Sequence, residues 1–312
     1  MTIHRALPVG EHGAVLTVGT FDGMHRGHQD VLSRLVARAS LSGRCSVVVT
    51  FDPHPLQVVN PAAVPPLLST FPEKLEQFVQ AGVQYVVVLP FTTGLAALSA
   101  EAFVDDVLIA RYGMTELLVG HDHGFGRGRL GDIRVLRELG ARRGFAVNEL
   151  APVVGKDAEA ISSSVIRRAV AAGDLRVASD GLGRHYTVSG RVVPGDQRGR
   201  QLGYRTLNLE TPPATKLLPP DGVYAVRVQT PRGPYDGMLN LGGRPTFGDS
   251  SRRLEAHVFD SEADWYGATI RVDFVAWIRA TRPFPSPTDL VRQLADDEKV
   301  ARALLATGAE TL

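Results

Sequence analysis

Two histidines three residues apart, His25 and His28, lie in the segment Gly19-Thr20-Phe21-Asp22-Gly23-Met24-His25-Arg26-Gly27-His28. Imidazoles at that spacing share one face of a helical turn. At a helix start, unpaired N–H groups and the positive dipole end both favour phosphate. Two imidazoles aimed there can donate hydrogen bonds to a phosphoryl group as its charge develops. The bland alternative is a pair of surface histidines beside a flexible turn. The flanks argue against it: Ala14-Val15-Leu16-Thr17-Val18 is a buried-strand pattern, and Val31, Leu32, Leu35, Val36 and Ala39 recur at helical spacing.

Three further blocks carry polar groups at strand or helix ends. Thr50-Phe51-Asp52-Pro53-His54-Pro55 offers Asp52 and His54, the latter stiffened by two prolines. In Val119-Gly120-His121-Asp122-His123-Gly124-Phe125-Gly126-Arg127-Gly128-Arg129, the glycines would let backbone approach a ligand, and Asp122 could orient a ribose or a base. Ile161-Ser162-Ser163-Ser164-Val165-Ile166-Arg167 reads as a second helix start, with Arg167 presenting a planar fork on its first turn. Taken singly, each also reads as ordinary structure: a rigid loop, solvated arginines, a serine cap.

The second half of the chain has its own candidates. Gly190–Leu209 is glycine-rich with four arginines, and Thr206 and Asn208 alternate with Leu207 and Leu209, so their oxygens project to one side. A hydroxyl and an amide oxygen are hard ligands of the kind Mg²⁺ takes beside substrate phosphates. In Leu254-Glu255-Ala256-His257-Val258-Phe259, Glu255 and His257 share a strand face, either as chemistry or as a solvated surface.

The elements that must position these groups differ between the halves. Apolar runs at 15–21, 46–51, 85–91, 116–120 and 145–150 alternate with helical patterns at 25–41, 72–81, 100–112 and 132–143. Strands that are apolar throughout, in β-α-β order, predict an α/β, doubly wound parallel sheet. A helix at 163–172 is expected to close this half. Beyond Gly181, runs at 186–193, 223–229, 238–241, 254–259 and 269–278 are separated by Gly/Pro turns with no helix between them. They predict a mainly β domain, a small antiparallel barrel, followed by a terminal helix at 288–305 opened by Pro287. The glycines at 173, 181 and 183 place the domain boundary so that the domains are 1–180 and 181–312.

Composition narrows the class. Length suffices for two cores, and 44% apolar with 21% charged residues is ordinary for a globular chain. Net charge is +1, with 17 basic and 18 acidic residues up to Asp180 and 17 and 15 after it, so no nucleic-acid surface is expected. Thirty of the 34 basic residues are Arg. One cysteine excludes a disulfide framework. No membrane span or signal peptide is read from the sequence, and a cytoplasmic protein is expected.

The four N-terminal blocks, in this order, resemble the adenylyltransferase domain of bacterial bifunctional riboflavin kinase/FAD synthetases. The C-terminal series resembles their riboflavin kinase domain: the Gly-Arg-x-Leu-Gly loop, Asp221-Gly222-Val223-Tyr224, Asn240-Leu241-Gly242-Gly243-Arg244-Pro245-Thr246-Phe247-Gly248, Glu255 and Arg279. The resemblance implies an enzyme that converts riboflavin to FMN and FMN to FAD, with ATP as co-substrate, Mg²⁺ as cofactor and pyrophosphate released in the second step. It implies His25, His28 and Arg167 as catalytic groups. ATP and flavin would be bound by Gly19, Phe21, Asp22, Gly23, Gly27, Asp52, His54, Asp122, Phe125, Gly126, Ser162, Ser163 and Ser164. In the kinase half it implies Glu255 as base, Gly195, Gly199, Arg200, Gly203, Asn240 and Arg279 as binding residues, and Thr206 and Asn208 as metal ligands. No nucleic acid or membrane partner is expected, and the chain is expected to be a monomer or weak homo-oligomer. The chain departs from the family pattern at His123, where Phe is expected more often, and in Arg205-Thr206-Leu207-Asn208, where the family reads Pro-Thr-Ala-Asn. Other readings still open are an adenylyl- or cytidylyltransferase with an inactive barrel and a flavin-binding protein without catalysis.

Overall fold

Continuous apolar strands need cover on both faces, and the first half of the chain provides it. The computed structural model describes residues 2–4, 13–120, 126, 131–155, 160–195, 203–243, 252–261 and 263–307. Six strands form one sheet in the order β1 (Thr2–His4), β4 (Tyr85–Pro90), β3 (Cys45–Asp52), β2 (Ala14–Val18), β5 (Met114–Gly120), β6 (Ala146–Leu150), every neighbour parallel. Side chains alternate between two apolar layers. Leu16, Val47, Val49 and Leu117 pack on one face with Phe103 and Leu136, and Val15, Val48 and Leu118 on the other with Leu32, Leu35 and Phe78. Strand order reverses at β2, which lies between β3 and β5. The carboxyl end of β2 is therefore the topological switch point, where open α/β sheets bind ligands.

The expected elements of this half are present, with differences. β1 is an added edge strand, too short to carry a periodic signal. The helix expected at 100–112 begins as α-helix at Ala100–Ala102 and continues as π-helix through Phe103–Ile109. Short helices at Pro55–Val59 and Thr93–Ala97 lie between the expected elements, each shorter than a sequence period can mark.

The second half closes into a six-stranded antiparallel barrel. Its strands are β7 (Tyr186–Val193), β8 (Leu207–Leu209), β9 (Gly222–Thr230), β10 (Gly233–Gly242), β11 (Arg253–Val258) and β12 (Thr269–Arg279), closed in the order β10-β11-β8-β7-β12-β9. The terminal helix runs Pro287–Thr307 and buries Ala301 and Leu305 with Ala225, Met238 and Phe259 of the barrel. Arg279 at the end of β12 holds this helix. Its Nε and Nη2 donate to buried Asp297 at 2.7–3.1 Å, and Gln293 Nε2 donates to the same carboxylate at 2.8 Å.

Packing divides the chain into two compact units, Met1–Ser163 and Ser164–Leu312. The helix Ser163–Ala172 lies at the expected residues. A further helix, Leu175–Leu182, occupies the glycine cluster that reads as a linker. Asp174 caps its start, accepting from Val177 N–H at 3.0 Å, and Gly183 ends it in left-handed geometry.

Candidate active sites

The turn after β2 is built from residues that oppose its relaxation. Phe21, Gly23 and Met24 all have positive φ. Asp22 is buried and accepts from Leu68 N–H, Ser69 N–H and Ser69 Oγ at 3.0–3.2 Å, while Gly23 N–H donates to Ser69 Oγ at 3.0 Å. Ser163 Oγ donates to the Asp22 carbonyl at 2.9 Å. Asp22 and Ser163, both expected to face substrate, thus spend these contacts shaping the turn.

The helix that follows, α1 (Arg26–Ser42), is capped by a motif histidine. His25 Nδ1 accepts from His28 N–H at 3.3 Å. An accepting Nδ1 carries no proton, so the neutral ring holds its proton on Nε2. The two imidazoles stack with centroids 3.7 Å apart and planes 19° apart, and Phe21 lies against His28 at 5.1 Å. His28 Nδ1 is enclosed with no hydrogen-bond partner among the described residues. Burial, then the neighbouring His25, hold the His28 pKa well below the ordinary histidine value. His54 repeats the device: its Nδ1 accepts from Leu56 N–H at 3.2 Å at the start of α2 (Pro55–Val59).

A cation absent from the sequence expectations stands beside these turns. Lys74, on the helix α3 (Phe71–Gln80), donates from Nζ to Thr20 O at 3.2 Å, Thr50 Oγ1 at 3.3 Å and Phe51 O at 3.4 Å. It lines a cleft with Thr20, Phe51, Asp52, His54 and Phe71. A lysine following Pro-Glu at a helix start reads as solvated surface, and only the tertiary docking of that helix reveals its partners.

The remaining N-terminal expectations are placed differently. Gly19 and Gly27 flank the turn, and Gly19 N–H donates to Val49 O at 3.0 Å. Asp122, His123 and Phe125 lie outside the described residues. Gly126 is described, at φ +76°, and a Cβ there would sit 2.7 Å from Ala100 N, so a close approach to the helix start at Ala100 requires glycine. Ser162 precedes the helix Ser163–Ala172, whose Ser164 and Arg167 belong to the second unit.

In the barrel, register assembles the second constellation. Asn240 on β10 pairs with Glu255 on β11, which pairs with Asn208 on β8. The adjacent row, Leu239, Ala256 and Leu207, is buried, so the polar row occupies the opposite, outer face. Gly195 lies so close to Asn208 that a Cβ would overlap its side-chain amide. Thr206 immediately precedes β8. The Arg205 carbonyl accepts from His257 Nδ1 at 2.7 Å, which leaves Nε2 of a neutral His257 unprotonated. The Arg205 guanidinium forms an exposed ion pair with Asp264 at 3.5 Å. Gly203 lies at the start of this segment in a left-handed conformation, while Gly199 and Arg200 fall outside the described residues. Arg279 is not in the polar row; its guanidinium is engaged by Asp297 and the Ala280 carbonyl.

Among the described residues no group of three or more His, Cys, Asp or Glu is placed to hold a metal ion. A hydroxyl and an amide oxygen, as on Thr206 and Asn208, are hard ligands of the kind Mg²⁺ takes beside phosphate and water.

Comparison with known proteins matches each half of the chain to a family. A family model described as FAD synthetase matches residues 8–165, and one described as riboflavin kinase matches residues 182–305. The bifunctional riboflavin kinase/FMN adenylyltransferase of Escherichia coli (strain K12) is 36% identical over 301 residues, 96% of this chain and 95% of that protein. The protein of the same description from Pseudomonas fluorescens is 38% identical over 309 residues, 98% and 97% of the two chains. A solved structure described as a macrolide-efflux protein from Streptococcus pneumoniae superposes with a TM-score of 0.82 at 30% identity, covering 95% of this chain and 96% of that one. No helix among the described residues here is long and apolar enough to cross a membrane.

Proposed function

The chain belongs to the bifunctional riboflavin kinase/FMN adenylyltransferase family, and from that premise we propose which residues carry each of its reactions. It is an ATP-dependent enzyme of flavin-cofactor synthesis that phosphorylates riboflavin to FMN and adenylylates FMN to FAD. We assign the adenylylation to residues 1–180 and the kinase to 181–312, a division supported by family matches that end at 165 and begin at 182.

For the kinase, Glu255 accepts the proton of the riboflavin terminal hydroxyl as that oxygen attacks the γ-phosphorus of ATP. The observation that carries this assignment is the in-register row Asn240–Glu255–Asn208. Thr206 and Asn208 would hold Mg²⁺, which when bound offsets phosphate charge. Gly195, Gly199, Arg200 and Gly203 supply backbone and charge around ATP, and Arg279 acts through the terminal helix it fastens.

For the adenylylation, a phosphate oxygen of FMN attacks the α-phosphorus and pyrophosphate departs. The nucleophile is already an anion, so this step needs positioning and charge stabilisation rather than a base. His25 supplies a donor at Nε2, His28 lies stacked against it, and the N–H groups of α1 face the same turn. Arg167 binds departing pyrophosphate, and Asp52, His54, Asp122 and Phe125 bind flavin or nucleotide. The enzyme works as a cytoplasmic monomer or weak homo-oligomer, without nucleic-acid or membrane partners, a reading supported by its near-neutral charge.

The experiment is incubation of the full chain with riboflavin, ATP and Mg²⁺, resolving flavins over time. FMN should rise first and FAD follow. Failure to form either product would overturn the assignment of activity to these sites.

A further inference from the structure

We propose that Lys74 is a positioning residue of the adenylylation site, a compact cation that ties the ends of β2 and β3 together and offsets Asp22 and Asp52 so that the phosphate of FMN can approach. The inference rests on the assignment of FMN adenylylation to residues 1–180.

Three observations carry it. First, all three acceptors of the Lys74 ammonium, Thr20 O, Thr50 Oγ1 and Phe51 O, lie at the carboxyl ends of β2 and β3, on the ligand-binding edge of the sheet. One ammonium therefore fixes the turn that leads to His25 relative to the loop that carries Asp52 and His54. Second, the cleft of about 40 Å³ that Lys74 lines also contains Asp22 and Asp52. Burial lowers the Lys74 pKa, while those two carboxylates hold it up, so the three groups share one electrostatic environment. Without the ammonium, a dianionic substrate would meet the two carboxylates with the charge opposing them at Lys74 removed. Third, the chain has 30 arginines and only four lysines, yet places a lysine here. Three acceptors converging at 3.2–3.4 Å suit a compact ammonium with three donors better than a planar guanidinium fork. Phe71, 5.5 Å from Nζ, completes the wall.

With its donors taken up by protein, Lys74 acts on the affinity for an anionic substrate rather than on bond breaking. The test measures KM for FMN and kcat for FAD formation in full-length Lys74→Met and Lys74→Arg, with riboflavin phosphorylation by the same preparation as control. Lys74→Met should raise KM for FMN by roughly tenfold or more with kcat within about threefold, a loss of uniform binding. Lys74→Arg keeps the charge and should recover most of that affinity; kinase activity should not change in either. Lys74→Gln must show the same split as Lys74→Met, and replaces it should the methionine variant fail to fold. An unchanged KM, a fall in kcat with KM held, or an arginine variant as impaired as methionine would each overturn the role. Wild-type enzyme that made no FAD from FMN would instead overturn the underlying site assignment.

Discussion

Glu255 stands directly opposite Asn208 across the β8–β11 ladder, so the proposed base and a proposed metal ligand form one cross-strand pair. Cβ atoms of such pairs lie about 4.5–5.5 Å apart, which brings a proton acceptor within reach of a phosphate held by its neighbour. Glu255→Gln keeps the shape and removes proton acceptance. Riboflavin phosphorylation should fall by on the order of 10²–10⁴ while added FMN is still converted to FAD. A kinase that stays active in this variant would mean Glu255 is only a solvated strand residue.

Arg205 is the test of a family departure. Its guanidinium pairs with Asp264, which is 61% exposed, and ion pairs of that kind contribute roughly 0–1 kcal/mol. The Arg205 carbonyl, not its side chain, is what His257 holds. Arg205→Pro should therefore leave kinase kcat and the KM for ATP within a few-fold, with stability roughly level. A tenfold rise in KM with kcat retained would mark the guanidinium as a phosphate ligand.

Asp297 is 1% exposed, and its partners Arg279 and Gln293 both use its carboxylate. Removing one member of a buried pair strands the other charge, at a cost of about 3–5 kcal/mol. Asp297→Ala should lower the melting temperature of the barrel by roughly ten degrees at 2–4 °C per kcal/mol. Both kinase and thermal stability should fall together; a variant that lost kinase activity with an unshifted melt would place Asp297 in substrate binding instead.

These residues also show what could be read before folding. The parallel sheet was legible because strands covered on both faces are apolar at every position, as Val47–Val49 and Leu117–Val119 are. β8 was not, since Leu-Asn-Leu is too short for a period and becomes a strand only by pairing with β7 and β11. The motif histidines were legible as a phosphate site, but the use of Nδ1 in capping, which fixes the donor nitrogen, needs coordinates. Asp22 and Arg279 carry family motifs, yet much of their side-chain chemistry goes to Leu68 and Ser69 amides and to Asp297. Lys74 was invisible because its partners are distant in sequence, 54 residues away at Thr20.

His185 gives the barrel a pH dependence. Both ring nitrogens are enclosed without hydrogen-bond partners among the described residues, and burial lowers its pKa, with Asp273 opposing and Arg227 assisting. A lowered folded-state pKa means that the unfolded chain takes up the proton first as pH falls. The folded state is then favoured fully above the ordinary histidine value of about 6.5 and loses stability below it. Thermal melts from pH 7.5 to 5 should show the barrel transition falling by a few degrees, and the fall should shrink in His185→Phe. An equal decline in that variant would assign the effect to other groups.

His28→Ala separates the two reactions. The variant removes a ring stacked on His25 and leaves β2, Asp22 and the Lys74 contacts in place. Burial, then the neighbouring His25, lower the His28 pKa, and the negative charge of a bound phosphate would oppose that shift. Losing one charge-stabilising donor typically costs about 3–4 kcal/mol, or roughly 10²–10³ in rate. FAD formation should fall by that factor while FMN accumulates from riboflavin, because Glu255, Asn208 and Asn240 belong to the other unit. Normal FAD synthesis by this variant would remove the histidine pair from the chemistry. Loss of FMN synthesis as well would mean that the two sites do not work independently.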